Sequence, residues 1–126
     1  MKKKILLVDD SSTVILMEKM ILSKGPYEIV TARDGVEGVA KAKSEKPDVI
    51  LLDVMMPNLD GLSACSAIRN DEATAHIPII MVTTRGEEHN METAYRNGCT
   101  DYVTKPINGL ELLTKLNNIL GMAAAS

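Results

Sequence analysis

The sequence predicts an α/β fold, a doubly wound, five-stranded parallel sheet with helices on both faces. Two observations carry this expectation. Short apolar runs alternate five times with segments of helical spacing, the pattern of units that pair in parallel. One of the runs, Val49 to Leu52, contains no polar residue at all, which marks a strand buried on both faces. It ends in a single carboxylate, Asp53, ahead of the turn Pro57-Asn58-Leu59-Asp60-Gly61. Ligands of open parallel sheets bind just beyond the carboxyl ends of the strands, so Asp53 stands where the chemistry of such a fold belongs.

The elements follow in order. Ile5 to Val8 reads as a buried strand ended by Asp9-Asp10. Ser11 or Ser12 offers an N-cap, and a helix runs to about Ser23. Its apolar stripe is expected at Val14, Met17, Ile21 and Leu22, with Glu18, Lys19 and Lys24 away from it. Glu28 to Ala32 is a less apolar strand, expected nearer an edge. A second helix, Gly35 to Ser44, has Val36, Val39, Ala40 and Lys43 at helical spacing. After the central strand, Leu62 to Asn70 is a third helix and Ile79 to Val82 a fourth strand ending at Thr83-Thr84. A loop from Arg85 leads to a short helix ending near Asn97. Asp101 to Thr104 is the fifth strand, followed by Lys105-Pro106. The last helix, Asn108 to Leu120, carries Leu110, Leu113, Leu116, Ile119 and Leu120. The expected layout is one domain over residues 1–121 and a patternless tail, 122–126, either frayed or the remnant of a linker.

A chain of 126 residues suits a single core. The net charge of −3 gives no whole-chain case for nucleic-acid binding, and without Phe or Trp there is little on which bases could stack. Cys65 and Cys99 match no metal spacing and read as core thiols of a reducing compartment. The basic start, Met1-Lys2-Lys3-Lys4, precedes an apolar run too short for a signal peptide, and no segment approaches membrane-spanning length. A cytoplasmic protein without membrane contact is expected.

The strand ends hold the chemistry. Strand one ends in Asp9-Asp10, strand three in Asp53, strand four in Thr83-Thr84 and strand five in Lys105. Neighbouring strands lie about 5 Å apart, so if these four are neighbours, three carboxylates, a hydroxyl and an ammonium share one crevice. Two unit charges at 4 Å interact by roughly 4 kcal/mol at an effective dielectric of about 20. Such a site binds protons or recruits a cation, and oxygen-only donors favour a hard ion, Mg²⁺ or Mn²⁺. With a lysine and a hydroxyl in reach, the set is equipped to accept a phosphoryl group, with Asp53 as nucleophile.

Val8-Asp9-Asp10, Leu52-Asp53-Val54-Met55-Met56-Pro57, Asp60-Gly61, Thr83-Thr84 and Lys105-Pro106, in this order and each at a strand end, resemble the receiver domain of two-component response regulators. The resemblance spans Lys3 to about Leu120 and implies a flavodoxin-like (βα)5 sheet of strand order 2-1-3-4-5. It implies that Asp53 is the phosphoacceptor, served by a histidine kinase or phosphotransfer domain, and that a downstream target protein reads the α4-β5-α5 surface. Asp10 resembles the direct Mg²⁺ ligand and Asp9 the ligand acting through water; Met55 supplies a backbone carbonyl. Thr83 resembles the switch hydroxyl, Tyr102 the aromatic switch residue and Lys105 the partner of the phosphoryl oxygens, with a cis Lys105–Pro106 bond. Such a domain is not an enzyme beyond catalysing its own phosphorylation and dephosphorylation.

Competing readings are weaker. A haloacid-dehalogenase-type phosphohydrolase needs a second aspartate where Met55 stands, a dinucleotide site needs a glycine-rich loop where Ser11-Ser12 stand, and a phosphorylation-independent pseudo-receiver would not need the complete acidic set. Met55, Arg85 and Thr84 fall at positions that tune rate or access in the family. Met55 offers an attacking water no strong hydrogen-bonding group, so a long-lived phosphoryl group is expected. Its decay, followed in wild type and in Met55→Asn, should be faster in the variant; equal or slower decay in Met55→Asn counts against this role.

Overall fold

The computed structural model describes residues 2–56, 58–84 and 90–121. Five strands alternate with five helices: β1 Lys3–Val8, α1 Ser12–Leu22, β2 Tyr27–Ala32, α2 Gly35–Glu45, β3 Val49–Asp53, α3 Gly61–Arg69, β4 Ile79–Thr84, α4 Asn90–Arg96, β5 Asp101–Lys105 and α5 Gly109–Leu120. All strands are parallel, in the order β2-β1-β3-β4-β5. The less apolar β2 lies at an edge, and β3 is buried along its whole length. The expected fold class is the observed one. Arg85, Pro57, His89 and the tail 122–126 fall outside the described residues.

Side-chain alternation along the strands divides the core in two. On one face Leu6, Ile50, Leu52, Ile79 and Met81 pack with Ala64, Cys65 and Ile68 of α3 and Ala94 of α4. On the other, Ile5, Leu7, Leu51, Val82 and Val103 pack with Ile15 and Leu22 of α1 and Leu112 and Leu116 of α5. Polar caps start four helices. Ser11, Asp34, Asp60 and Asn108 accept from the backbone N–H of Val14, Glu37, Ser63 and Glu111, each satisfying a donor that the helix cannot. At α2, Glu37 Oε1 also accepts from the backbone N–H of Arg33, the residue before the cap, at 2.7 Å, tying the incoming chain to the first turn.

Three helix faces differ from expectation. In α1 the buried residues are Ile15, Glu18 and Leu22, while Met17 is exposed; Glu18 is thus inside the fold, not away from the stripe. In α2 the buried residues are Gly35, Gly38 and Ala42, while Val36 and Lys43 face solvent and Lys43 pairs with Asp71 at 3.5 Å. The reason is distance: a Cβ on Gly38 would lie 2.8 Å from Val8 Cγ1, and one on Gly35 2.0 Å from the Leu59 carbonyl oxygen. The helix packs through its smallest residues because its backbone comes too close for larger ones. In α5, Leu116 is buried and Leu113, Ile119 and Leu120 pack against the core as expected, but Leu112 is also buried and Leu110 is 77% exposed.

At Gly35 the obstruction is backbone, which cannot rotate aside. Gly35→Ala should therefore destabilise the domain by about 1–3 kcal/mol, even though alanine is the better helix former by about 1 kcal/mol. Urea unfolding measures the difference, and a variant as stable as wild type would contradict the close approach.

Candidate functional site

The register brings the strand ends together. β1 and β3 pair at Val8 and Leu52, β3 and β4 at Asp53 and Val82, and β4 and β5 at Thr84 and Lys105. Carboxylate oxygens of Asp9, Asp10 and Asp53 lie within 4.8 Å of one another. Asp9 and Asp53 are buried and Asp10 is exposed. Lys105 Nζ reaches between them, 3.3 Å from Asp53 Oδ1 and 3.5 Å from Asp9 Oδ2. The Lys105–Pro106 bond is cis.

The loop after β3 is held by short-range bonds. Gly61 N donates to the Val54 carbonyl at 2.8 Å and Val54 N to the Val82 carbonyl at 3.1 Å. A Cβ on Gly61 would meet the Asp53 carbonyl oxygen at 2.1 Å, so only glycine lets the start of α3 lie against the end of β3. Asn58 adopts a left-handed conformation (φ 69°) and donates to Asp34 Oδ2 at 2.8 Å, tying this loop to the cap of α2. The Met55 side chain is exposed.

The electrostatics show what the convergence costs. Burial raises the Asp53 pKa to about 6, with the charge of Asp9 adding to the effect and Lys105 opposing it. Burial also raises the Asp9 pKa, against the Ser11 backbone N–H donated to Oδ1 at 2.9 Å. Burial alone would lower the Lys105 pKa, but Asp53 and Asp9 outweigh it and hold it above the ordinary lysine value. Among the described residues only two buried side-chain oxygens lack a hydrogen bond, Asp9 Oδ2 and Glu18 Oε1. An oxygen-only cluster with an unsatisfied, buried carboxylate oxygen fits a hard divalent cation.

Thr83 is buried and shares a sheet face with Met81, which packs in the cluster that Tyr102 adjoins. Tyr102 lies edge-on to Tyr95 of α4, ring centroids 6.3 Å apart. Lys115 of α5 sits 4.9 Å from the Tyr102 centroid, donates to the Tyr102 carbonyl and pairs with Asp101 at 3.3 Å. One aromatic residue thus joins α4, β5 and α5. Thr84 is exposed, opposite Lys105 in register.

Glu18 is the residue that reading the sequence missed. Burial drives its pKa up to about 8, with Asp9 raising it, Lys105 lowering it and Asp53 raising it further. The sequence signal was available: Glu18 stands three residues from Ile15 and four from Leu22, within one face of α1.

A fold of this topology, with acidic residues, a hydroxyl and a lysine at adjacent strand ends, defines an α/β domain of the flavodoxin-like class with an acidic site at the carboxyl end of its sheet. The response regulator receiver domain matches residues 5–117, and the chain belongs to that family. It is 40% identical over 117 residues to protein PilH of Pseudomonas aeruginosa, covering 93% of this chain and 97% of PilH. It is 39% identical over 120 residues to the alkaline phosphatase synthesis transcriptional regulatory protein PhoP of Bacillus subtilis, covering 95% of this chain but 49% of PhoP. Chemotaxis protein CheY4 of Vibrio cholerae superimposes with a TM-score of 0.88 at 35% identity, covering 95% of this chain and 100% of CheY4. The receiver domain of the sensor histidine kinase PA1611 of Pseudomonas aeruginosa, solved with a magnesium ion coordinated in its active-site cleft, also gives 0.88, at 31% identity over 96% of this chain and 99% of that domain. Among the described residues no helix is long and apolar enough to cross a membrane.

The buried acids set a pH dependence. Glu18 and Asp53 bind protons more tightly folded than unfolded, because their pKa values rise from 4.5 to about 8 and from 3.8 to about 6. Between the unfolded and folded values the native state holds more protons, so stability is lost as pH rises. In chelator-treated protein the thermal midpoint should fall from pH 5 to pH 8.5, and Glu18→Gln should flatten the upper part of that fall. Calorimetry across this range checks both; a midpoint that climbs with pH would contradict the assignment.

Proposed function

We propose that this receiver domain is a phosphorylation-dependent switch whose acceptor is Asp53. The observation that carries the reading is the Lys105 ammonium shared between Asp53 and Asp9 at 3.3 and 3.5 Å beside the three-carboxylate cluster. With its pKa near 6, Asp53 is mostly ionised at neutral pH and nucleophilic. A carboxylate oxygen of Asp53 attacks the phosphorus of a phosphohistidine on a histidine kinase or phosphotransfer domain. The new O–P bond forms as the P–N bond breaks, and the imidazole leaves with the bonding pair. Lys105 is placed to neutralise the transferred oxygens, and the Thr83 hydroxyl to donate to one of them.

Asp9, Asp10, Asp53 and the Met55 carbonyl would hold Mg²⁺, with Mn²⁺ the alternative hard ion for the same donors. When bound, the ion supplies positive charge for the oxygens in transfer. Phosphorylation adds about −1.5 to −2 charge and strong acceptors at Asp53. Movement of Thr83 toward them frees space next to the cluster that Tyr102 adjoins. Tyr102 is in contact with Tyr95 and Lys115, so its rotation alters the α4-β5-α5 surface that a target protein reads. Beyond its own phosphorylation and dephosphorylation the domain acts on no substrate. Its partners are proteins and not membrane or nucleic acid, and its place is the cytoplasm.

Intact mass after incubation with Mg²⁺ and acetyl phosphate tests the acceptor. Wild type should gain one phosphoryl group and Asp53→Ala none. If neither acetyl phosphate nor a phosphohistidine donor labels wild type, the switch reading is wrong and the domain works as a phosphorylation-independent interaction module.

A further inference from the structure

Glu18 has no part in the chemistry above, yet the fold places it beside that chemistry. It lies between Ile15 and Leu22 on the buried face of α1 and is 1% exposed. Alternation along the strands directs Asp53 and Lys105 to the same side of the sheet as Leu51 and Val103, and those residues pack with α1 and α5. Glu18 therefore enters the layer behind the site from the helix side. The charged groups facing it are Asp9 at the end of β1, Asp53 at the end of β3 and Lys105 at the end of β5. From α5 the same layer receives the apolar Leu112 and Leu116.

A carboxyl without a partner for one oxygen is an expensive occupant of such a position, where leucine would pack freely. The site in front of it is also unusual in what it must accommodate. It holds an ammonium between two carboxylates, and a divalent cation must settle on those same carboxylates. The cation and Lys105 repel each other. A further negative charge in the same poorly solvated layer offsets that repulsion at a distance where water would otherwise have screened it.

We propose that Glu18 is a positioning residue of the phosphorylation site, a fourth carboxyl set behind Asp9, Asp53 and Lys105 that strengthens Mg²⁺ binding and retains Lys105 beside the cation, without touching the metal or the phosphoryl group. The inference rests on the Mg²⁺-dependent reading of the site given above. The proton that Glu18 carries up to about pH 8 makes its contribution conditional: the charge is present in alkaline solution and largely absent below neutrality.

The test is Mg²⁺ titration followed by amide chemical shifts, in wild type, Glu18→Gln and Glu18→Leu, at pH 6.5 and pH 9. At pH 9 both variants should bind Mg²⁺ about fivefold to tenfold more weakly than wild type, as expected for loss of one nearby charge in a partly screened interior. At pH 6.5 the three proteins should agree within about twofold. Glutamine keeps the shape and polarity of the side chain, so it decides the matter if the leucine variant fails to fold. Variants that match wild type at pH 9 would overturn the proposal, as would an equal weakening at both pH values, which is what a purely structural role produces. Wild type that binds no Mg²⁺ at either pH would overturn the metal-dependent reading along with it, whereas normal wild-type binding with unaffected variants removes the role of Glu18 alone.

Discussion

Like charges forced together at one end of a buried sheet are the constraint on which this domain is built. At 4 Å and an effective dielectric of about 20, each pair of carboxylates repels by roughly 4 kcal/mol. The chain accepts this because the strands that deliver them are pinned elsewhere. β3 is buried throughout and flanked by β1 and β4 in register, so its terminal Asp53 cannot retreat from Asp9 without unpairing apolar residues below it. Lys105, at the end of β5, removes part of the repulsion but leaves Asp9 Oδ2 without a hydrogen bond. The sheet holds an unfavourable charge arrangement, and the remaining negative excess is what a cation can neutralise.

The site is also addressed from both sides of the sheet. Asp53 and Lys105 share the face of α1 and α5, whereas Thr83 shares the face of Met81, Tyr102 and α4. In the switch proposed above, a change of charge on the first face would reach the second through the Thr83 hydroxyl at the end of β4. From there the contacts run through Tyr102 to Tyr95 and Lys115. The path is short because β4 and β5 are adjacent, Thr83 opposite Thr104 and Met81 opposite Tyr102. The two faces are separated by one sheet thickness, not by a chain of distant elements.

The strands and their terminal residues were legible in the sequence, and the helix faces were not, for a physical reason. A strand buried on both sides needs apolar residues throughout, so Val49 to Leu52 identifies itself and Asp53 stands out against it. A helix buries one face, and which face depends on what it meets. At α2 the neighbour is so close that Gly35 and Gly38 do the packing, leaving Val36 outside, which inverts the hydrophobic pattern. At α5 the expected Leu113, Leu116, Ile119 and Leu120 do pack on the core, but Leu112 is buried where Leu110 is not. Arg69 gave no signal in the sequence, yet its guanidinium donates to the carbonyls of Gly98 at 2.8 Å and Ile77 at 2.6 Å, fastening α3 to the segments before β5 and β4. Backbone acceptors of this kind carry no side-chain pattern to read.

Glu18 shares a readable helical row with Ile15 and Leu22, and it escaped because it is charged. A charged residue at helical spacing is ordinarily solvent-facing, because burying an unpaired carboxylate is costly. That expectation assumes surroundings with no use for the charge. Here the group behind the site faces an ammonium and two carboxylates whose charges shift its own protonation. Asp53 adds to the upward shift of Glu18 that burial and Asp9 begin, so Glu18 does not behave as an isolated acid. Neutral conditions fall between their pKa values, about 6 and about 8. At such pH Asp53 is mostly ionised, while Glu18 mostly keeps its proton. Burial is the leading cause of both shifts, and the more deeply buried acid, Glu18, holds its proton to the higher pH.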